Sequence, residues 1–196
     1  EESKKAITKM EIILGDNDRL QAIAEDFVSH YETRVSEGSS VEGKAMFVCA
    51  NRMIAYNLYK KIIALRPQWA EIPSENIVFA PNYEISKVAE STAIYGNAPI
   101  PIEKIKLVMT RNKDDEAELY NLLGGDEERK KLDVQFKNPK SNFKIAIVVD
   151  MWITGFDVPC LDTMYIDKPL QQHTLVQTIS RVNRVYPGKD KGLVVD

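Results

Sequence analysis

The chain has 196 residues, of which 44% are apolar and 28% are charged, enough for one sizeable hydrophobic core and too few for two. No apolar run approaches the about 18 residues that a membrane-spanning helix needs, and the first ten residues lack the apolar centre of a secretory signal, so we expect no membrane partner. The formal net charge of -3 argues against a protein that holds nucleic acid by a generally positive surface, so any DNA contact must be local.

The hydrophobic pattern alternates between helical and strand periodicities along the chain. Residues 17–35 place apolar side chains at three- and four-residue spacings, which predicts a helix before a polar loop. An apolar strand over 44–50 comes next, and a second helix begins at Asn51 and is stopped by Pro67. The remaining predicted elements are strands over 104–110, 143–150, 163–169 and 192–196, and helices over 114–123, 126–136 and 173–184.

Continuous apolar strands that alternate with helices indicate a parallel sheet covered on both faces. We therefore predict one α/β domain over 44–196, preceded by a helical lead-in and loop over 1–43. Residues 68–103 contain prolines and asparagines and only one strand candidate, at 76–80. This region is predicted to be an irregular excursion from the sheet.

Two segments match nucleotide-binding motifs in part. Gly38-x-x-x-x-Gly43-Lys44 has the glycines and the lysine of a phosphate loop. However, alanine follows the lysine where magnesium needs a hydroxyl, and the glycines precede a strand instead of following one. Asp150 ends an apolar strand as a Walker B aspartate does, but Met151 stands where the catalytic glutamate belongs. We interpret the first segment as a loop before a core strand and the second as an ordinary strand end.

Metal ligands are scarce. The chain has two cysteines, Cys49 and Cys160, and two histidines, His30 and His173, and all four are far apart in sequence. Zinc sites use closely spaced pairs of such residues. We therefore expect no zinc site.

One predicted helix combines a glutamine with two arginines. Spacings of four and three residues put Gln177, Arg181 and Arg184 on one helical face. Two arginines without a carboxylate at adjacent positions favour an external anion, and phosphoryl transfer uses such arginines, often supplied by a neighbouring domain. A solvated basic face is the alternative. A separate apolar stripe, predicted to pack against the sheet, consists of Leu175, Ile179 and Val182.

A second candidate segment, Thr154-Gly155-Phe156-Asp157, follows the strand over 143–150. Gly155 permits a positive φ or a close approach of another group. Asp157 offers an acceptor, which we expect at the carboxyl edge of the sheet, where α/β proteins bind ligands. An ordinary turn is the alternative.

Residues 145–184, which read IAIVVD, then TGFDVPCLDTMYIDKPL, then QTISRVNR, resemble motifs V and VI of superfamily 2 helicases. In this wording they are similar to the restriction subunit of type I restriction enzymes. The resemblance implies a RecA-like fold and the second motor domain of an ATP-dependent translocase of double-stranded DNA. It implies that Arg181 and Arg184 contact the γ-phosphate, one of them as an arginine finger, with Gln177 as a polar support.

The same resemblance implies that Gly155 and Asp157 lie at the cleft between two motor domains. Asp157 would be near the ribose of ATP or would link to motif VI. The chain departs from the family pattern at Val149, where many members have a threonine that touches the nucleic-acid backbone. That contact is therefore in doubt here.

Two further segments resemble DNA-facing parts of the same motors. KAMFVCANRMIAYNLYKKI is similar to motif IV, and KLVMTRNK is similar to the strand end that follows it. Helix caps without any DNA contact are the alternative, because asparagine and threonine are good caps. The resemblance nominates four residues for contacts to DNA phosphates: Asn51, Arg52, Thr110 and Arg111.

The resemblance also implies the surroundings of the domain. ATP and Mg²⁺ would be bound mainly by a first motor domain, so we expect this chain to be part of a longer polypeptide and to be inactive as an isolated ATPase. The partners would be double-stranded DNA, the nuclease and first motor domains, and modification and specificity subunits, in the cytoplasm of a bacterium or archaeon. A half-domain of another superfamily 2 helicase and a non-catalytic RecA-like binding module are the alternatives.

Overall fold

A computed structural model describes residues 12–73, 99–153, 155–170 and 172–196. The helices are α1 (Asn17–Ser36), α2 (Arg52–Leu65), α3 (Ala117–Leu123), α4 (Asp126–Lys137) and α5 (Gln172–Val182), with a 3-10 helix at Pro67–Ala70. The strands are β1 (Lys44–Cys49), β2 (Ile105–Val108), β3 (Ile145–Val148), β4 (Leu161–Asp167) and β5 (Leu193–Val195). Within the described ranges no helix combines the length and the apolar character that crossing a membrane requires.

The five strands form one sheet in the order β2-β3-β1-β4-β5, and every neighbouring pair is parallel. This confirms the predicted α/β architecture with a parallel sheet. Because all strands run the same way, their last residues share one border of the sheet, the carboxyl edge, and their first residues share the opposite border, the amino edge. These two edges decide where each candidate site residue can lie.

Helices cover both faces of the sheet, as predicted. On the first face α1, α2 and α3 bury apolar side chains against alternate strand residues, among them Phe47 and Tyr165, whose rings stack at 5.7 Å. On the second face α4, the end of α5 and the described residues of 151–160 pack against the other strand residues, among them Met46 and Met164. Burial of apolar area on both sides is the main force that holds the sheet in place.

The predicted elements are confirmed in kind, and several are shorter than predicted. The strand predicted over 143–150 spans only Ile145–Val148. The two helices predicted over 114–123 and 126–136 are separate, because Gly124 has a φ of 63° and α4 begins directly after Gly125. Of the predicted irregular excursion, the first part is the 3-10 helix, and the strand candidate at 76–80 lies outside the described residues.

Lys44, the lysine of the phosphate-loop match, is fully buried at the start of β1. Its Nζ donates to the carbonyl oxygens of Phe143 at 2.5 Å and Gln135 at 3.3 Å, and it lies 5.2 Å from the ring centre of Phe136. Burial, together with the nearby charge of Lys144, lowers the pKa of Lys44 to about 7. A side chain held this way inside the core serves the packing of β1, as the interpretation of this segment as a loop before a core strand requires.

The connection from α5 to β5 is unusually close. Gly192 lies just before β5, and a Cβ atom built on it would come within 2.2 Å of the carbonyl oxygen of Val182 at the end of α5. Only a residue without a side chain fits there. α5 therefore starts near the carboxyl edge, after β4, and its last turn lies near the amino edge, where β5 begins.

Candidate functional site

The segment that resembles motif V crosses the second face of the sheet. It leaves β3 at the carboxyl edge and must reach the first residue of β4 at the amino edge. Asp157 lies four residues before β4, beside the turn in which the N–H of Leu161 donates to the carbonyl of Val158 at 2.9 Å. The prediction that Asp157 lies at the carboxyl edge is therefore wrong, because a connection between parallel strands has to carry the chain back across the sheet.

α5 ends earlier than predicted, at Val182. The chain turns there toward β5, and the N–H of Gly192 donates to Oδ1 of Asn183 at 3.4 Å. Gln177 and Arg181 thus lie on α5, while Arg184 lies two residues beyond its end. The predicted common helical face holds for the first two residues, and Arg184 reaches the same region from the turn that follows.

The apolar stripe of α5 also differs from the prediction. Val182 is buried against the second-face core, but Leu175 and Ile179 are each 37% exposed. Thr178 is buried instead, and its hydroxyl donates to the carbonyl of Thr174 at 2.7 Å. Because that bond satisfies the hydroxyl within the helix, Thr178 can face the sheet at little cost. The side of α5 that packs on the sheet is therefore not its most apolar side.

The structure brings Asp157 and Arg184 together. Arg184 Nε lies 3.2 Å from Asp157 Oδ1, and the two side chains are 49% and 58% exposed. Arg181 is half-buried, and its Nε has no hydrogen-bond partner among the described residues. Gln177 is exposed on the same helix, and Gly155 is exposed with a φ of 72°. The ion pair thus joins the two separate predicted segments, and we call their five predicted residues the arginine cluster (Gly155, Asp157, Gln177, Arg181 and Arg184).

The arginine cluster rests on stacked rings that the sequence did not reveal as important. The rings of Trp152 and Phe156 are 4.2 Å apart and nearly parallel, at 4°, and Phe136 stacks on Trp152 at 5.3 Å. We call these three rings the aromatic stack. The sequence offers only one signal for this stack: Trp152 and Phe156 are four residues apart and follow the apolar strand predicted over 143–150.

The residues nominated for DNA lie at the carboxyl edge, away from the arginine cluster. Asn51 caps α2, because its Oδ1 accepts from the N–H of Ile54 at 3.0 Å. Arg52 donates to the carbonyl of Thr110 and forms an ion pair with Asp115, with 2.6 Å from Nη2 to each carboxylate oxygen. Burial alone would raise the pKa of Asp115, but the bonds from the N–H of Asn112 and from Arg52 outweigh it and lower the pKa below its ordinary value.

The other two nominated residues at this edge are less engaged, and Nε of Arg111 has no hydrogen-bond partner among the described residues. The side chain of Thr110 is exposed, and the guanidinium carbon of Arg111 lies 4.3 Å from the ring centre of Tyr120. Val149, the residue that departs from the family pattern, is buried in the first-face core. The carboxyl edge therefore offers Thr110 and Arg111 to a ligand, while Asn51 and Arg52 organise the edge itself.

The donor set of the arginine cluster fits an anion. The guanidinium group of Arg184 is half-exposed, and the buried Nε of Arg181, three residues earlier, has a hydrogen atom with no acceptor among the described residues. Planar guanidinium groups suit phosphate oxygens. Within the described part of the chain no three His, Cys, Asp or Glu side chains are grouped so that they could hold a metal ion.

Comparisons with known proteins show the family of the chain. Residues 41–196 match the family model described as type I restriction enzyme subunit R domain 3. The chain is 38% identical to the type I restriction enzyme HindI endonuclease subunit of Haemophilus influenzae and 37% identical to the MjaIXP endonuclease subunit of Methanocaldococcus jannaschii. Both alignments cover 100% of the chain, and the chain covers 16% and 15% of these two relatives.

A solved structure shares the fold. It is a fragment of an HsdR subunit of a type I restriction enzyme from Vibrio vulnificus, with a TM-score of 0.53 and 12% sequence identity. The match covers 92% of this chain and 28% of that one. At such low identity the likeness concerns the fold alone, a single RecA-like α/β domain.

Proposed function

Because this chain belongs to the R subunit family of type I restriction enzymes, as domain 3 of that subunit, we propose that it is the second motor domain of an ATP-dependent translocase of double-stranded DNA. The observation that carries the proposal is the ion pair between Arg184 and Asp157 beside the unpaired Nε of Arg181. These groups come from the two segments that resemble motifs V and VI. A domain that only filled a structural role would have no need to leave a buried guanidinium N–H without an acceptor.

In this proposal Arg181 and Arg184 contact the γ-phosphate across the cleft to the first motor domain. When bound there, ATP with Mg²⁺ supplies the phosphoanhydride bond whose hydrolysis drives translocation. The two guanidinium groups stabilise the negative charge that develops on the phosphoryl oxygens, and positioned charge is the main contribution that a protein makes to this chemistry. Gln177 supports them with an amide, and Asp157 orients Arg184 and offers an acceptor to a ribose hydroxyl.

The proposal gives the carboxyl edge a different task, contact with the DNA backbone. Thr110 and Arg111 would donate to phosphate oxygens, while Arg52 holds the carbonyl of Thr110 and the carboxylate of Asp115. The R subunit would work with modification and specificity subunits and with its own nuclease domain, in the cytoplasm. The two surfaces lie at opposite edges of one sheet. A movement of the domain caused by ATP at one surface would therefore also move the DNA-contacting surface.

The test uses the full-length R subunit assembled with its partner subunits. Arg181→Ala and Arg184→Ala should each lower kcat for DNA-stimulated ATP hydrolysis by about 10³-fold, the scale of arginine fingers. The matched control is Arg66→Ala, which also removes an arginine from an ion pair, with Glu32, but on the other face of the sheet. Arg→Lys should restore little activity, because an ammonium group cannot reproduce the planar fork.

Full ATPase and translocation rates in both alanine variants would overturn the proposal. If those variants also lost several degrees of melting temperature, the α5 face would be structural, as in a non-catalytic RecA-like module. Equal losses in Arg66→Ala would show that the assay reports general damage to the domain.

A further inference from the structure

Among the described residues, Trp152 is the only non-glycine residue with a positive φ, at 67°. This left-handed conformation is unfavourable for a bulky side chain, because the Cβ atom crowds the following carbonyl oxygen. Such a conformation persists only where the surrounding structure enforces it. The surroundings of Trp152 therefore require an account.

The aromatic stack holds Trp152 in place. Its ring stacks on Phe156, 4.2 Å away and nearly parallel, and on Phe136, at 5.3 Å and 21°, and these two phenylalanine rings are 6.3 Å apart. Phe136 is fully buried on α4, and Phe156 is also buried. Offset stacking of this kind adds stabilisation beyond the burial of area. The two ends of the turn over 152–156 are thus tied to each other and to the second-face core.

The last ring of the stack in the sequence, Phe156, lies one residue before Asp157 of the arginine cluster. Phe156 directly precedes Asp157, whose carboxylate pairs with Arg184 at 3.2 Å. A Cβ atom built on Gly155 would meet no other atom within 4 Å, so contacts at that position do not set the course of the turn. The rings on either side of Gly155 set it, and through Phe156 they set where the carboxylate of Asp157 stands.

We propose that Trp152 is a positioning residue for the arginine cluster, acting through Phe156 and Asp157 on Arg184. The inference rests on the proposed function, since it concerns the same cluster. Trp152 touches no reacting group itself. Its contribution is the stack, which fixes Asp157 and thereby limits the directions in which the Arg184 guanidinium can point, and a small misplacement of such a group has a large kinetic cost.

The experiment compares three variants of Trp152 in the full-length R subunit with its partner subunits. Trp152→Ala should lower kcat for DNA-stimulated ATP hydrolysis by about 10- to 100-fold, with KM for ATP changed by less than about twofold, because orientation is lost and not binding. Trp152→Phe keeps a stacking ring and should restore kcat to within about threefold of the parent. Trp152→Gly relieves the backbone strain but removes the ring, so it should be as slow as Trp152→Ala.

The remaining controls separate this inference from a structural role and from the proposed function. Trp69→Phe changes the other tryptophan, which packs on the first face, and should leave kcat unchanged. In the double variant Trp152→Ala with Arg184→Ala, kcat should fall no further than in Arg184→Ala alone, because both changes act on one group. If Trp152→Ala does not fold, Trp152→Leu, which keeps an apolar side chain over Phe136, takes its place with the same expectations.

Three outcomes would overturn the inference. They are a normal kcat in Trp152→Ala, full activity in Trp152→Gly, and fully additive losses in the double variant. If Arg184→Ala is slow while Trp152→Ala is normal, the proposed function stands and only the positioning role fails. If Arg184→Ala and Arg181→Ala are both normal, the proposed function fails first.

Discussion

Arg52 at the carboxyl edge and the two arginines of the arginine cluster use the same residue type in opposite ways. At the carboxyl edge Arg52 donates to a backbone carbonyl and to both oxygens of Asp115. In the arginine cluster Arg184 has one ion pair on an exposed surface, and Arg181 keeps a buried Nε without an acceptor among the described residues. An arginine held by several acceptors within the chain organises the fold, whereas one that keeps an N–H without an acceptor is available to a ligand.

Asn51 illustrates the same difference at the level of a single side chain. It was nominated for a DNA contact, and its side-chain oxygen is engaged as the cap of α2. Thr110, which was nominated with it, is exposed. The four nominated residues thus divide into Asn51 and Arg52, whose side chains are bonded within the carboxyl edge, and Thr110 and Arg111, which keep an exposed side chain and an unpaired Nε.

Removal of Arg52 should have the largest effect on stability. Arg52→Ala leaves the carboxylate of Asp115, whose side chain is only 8% exposed, without its cation, and we expect a loss of about 2 kcal/mol in the free energy of unfolding. Arg181→Ala, the matched change in the arginine cluster, should alter it by less than about 0.5 kcal/mol. Urea denaturation followed by tryptophan fluorescence measures both values. A stable Arg52→Ala beside an unstable Arg181→Ala would reverse the comparison.

The buried amine of Lys44, at the amino edge, provides a test of how stability depends on pH. Its folded-state pKa, about 7, lies below its ordinary value of 10.5. Between these values the unfolded chain holds a proton that the folded chain has released, so the free energy of unfolding rises with pH. The rise attributable to Lys44 should be about 1 kcal/mol between pH 7 and pH 8.

The measurement for Lys44 is the difference in unfolding free energy between the parent and Lys44→Met at each pH. This difference removes the contribution of the other groups near the ammonium, namely Lys144, Cys160 and Glu42. The free energy of unfolding of the parent should rise relative to that of Lys44→Met as pH rises. Parallel curves from pH 6 to pH 9 would show that Lys44 stays charged inside the core.

The smallest expected effect concerns Arg111 at the carboxyl edge. Arg111→Ala should weaken binding of double-stranded DNA by the full-length R subunit and reduce the slope of log affinity against log salt by about 0.9, the value for one phosphate contact. Arg66→Ala, far from this edge on the sheet's first face, is the control. An unchanged slope in Arg111→Ala would remove the carboxyl edge from the DNA surface.

Much of the fold could be predicted because its signals are local. The stripe of α1 and the apolar run of β1 each lie within one element, and their periodicity does not depend on the rest of the chain. The ends of elements were less predictable. α5 stops at Val182 because the chain must turn there toward β5, and the close packing of Gly192 against Val182, ten residues apart in sequence, allows that turn. Which side of α5 meets the sheet was also missed, since a threonine can bond within its own helix.

In the candidate site, too, the features that are local in sequence were predictable and those that depend on the folded chain were not. The motif residues Gln177, Arg181 and Arg184 were recognisable because each motif is a short segment. The position of Asp157 was not, because the sequence does not show how far a connection has travelled across the sheet before its next strand. The positive φ of Trp152 was not predictable either, since it depends on a ring from α4 that is close only in the folded chain.

The close approach of Gly192 to Val182 bears on how such subunits can be recombined. Engineers who build chimaeras from related R subunits choose crossover points where few contacts are cut. A crossover between α5 and β5 would pair a helix end and a glycine that were selected in different parents, at a spot where the gap is narrower than a methyl group. Residues 172–195 should therefore be exchanged as one cassette, with junctions placed before α5 and after β5.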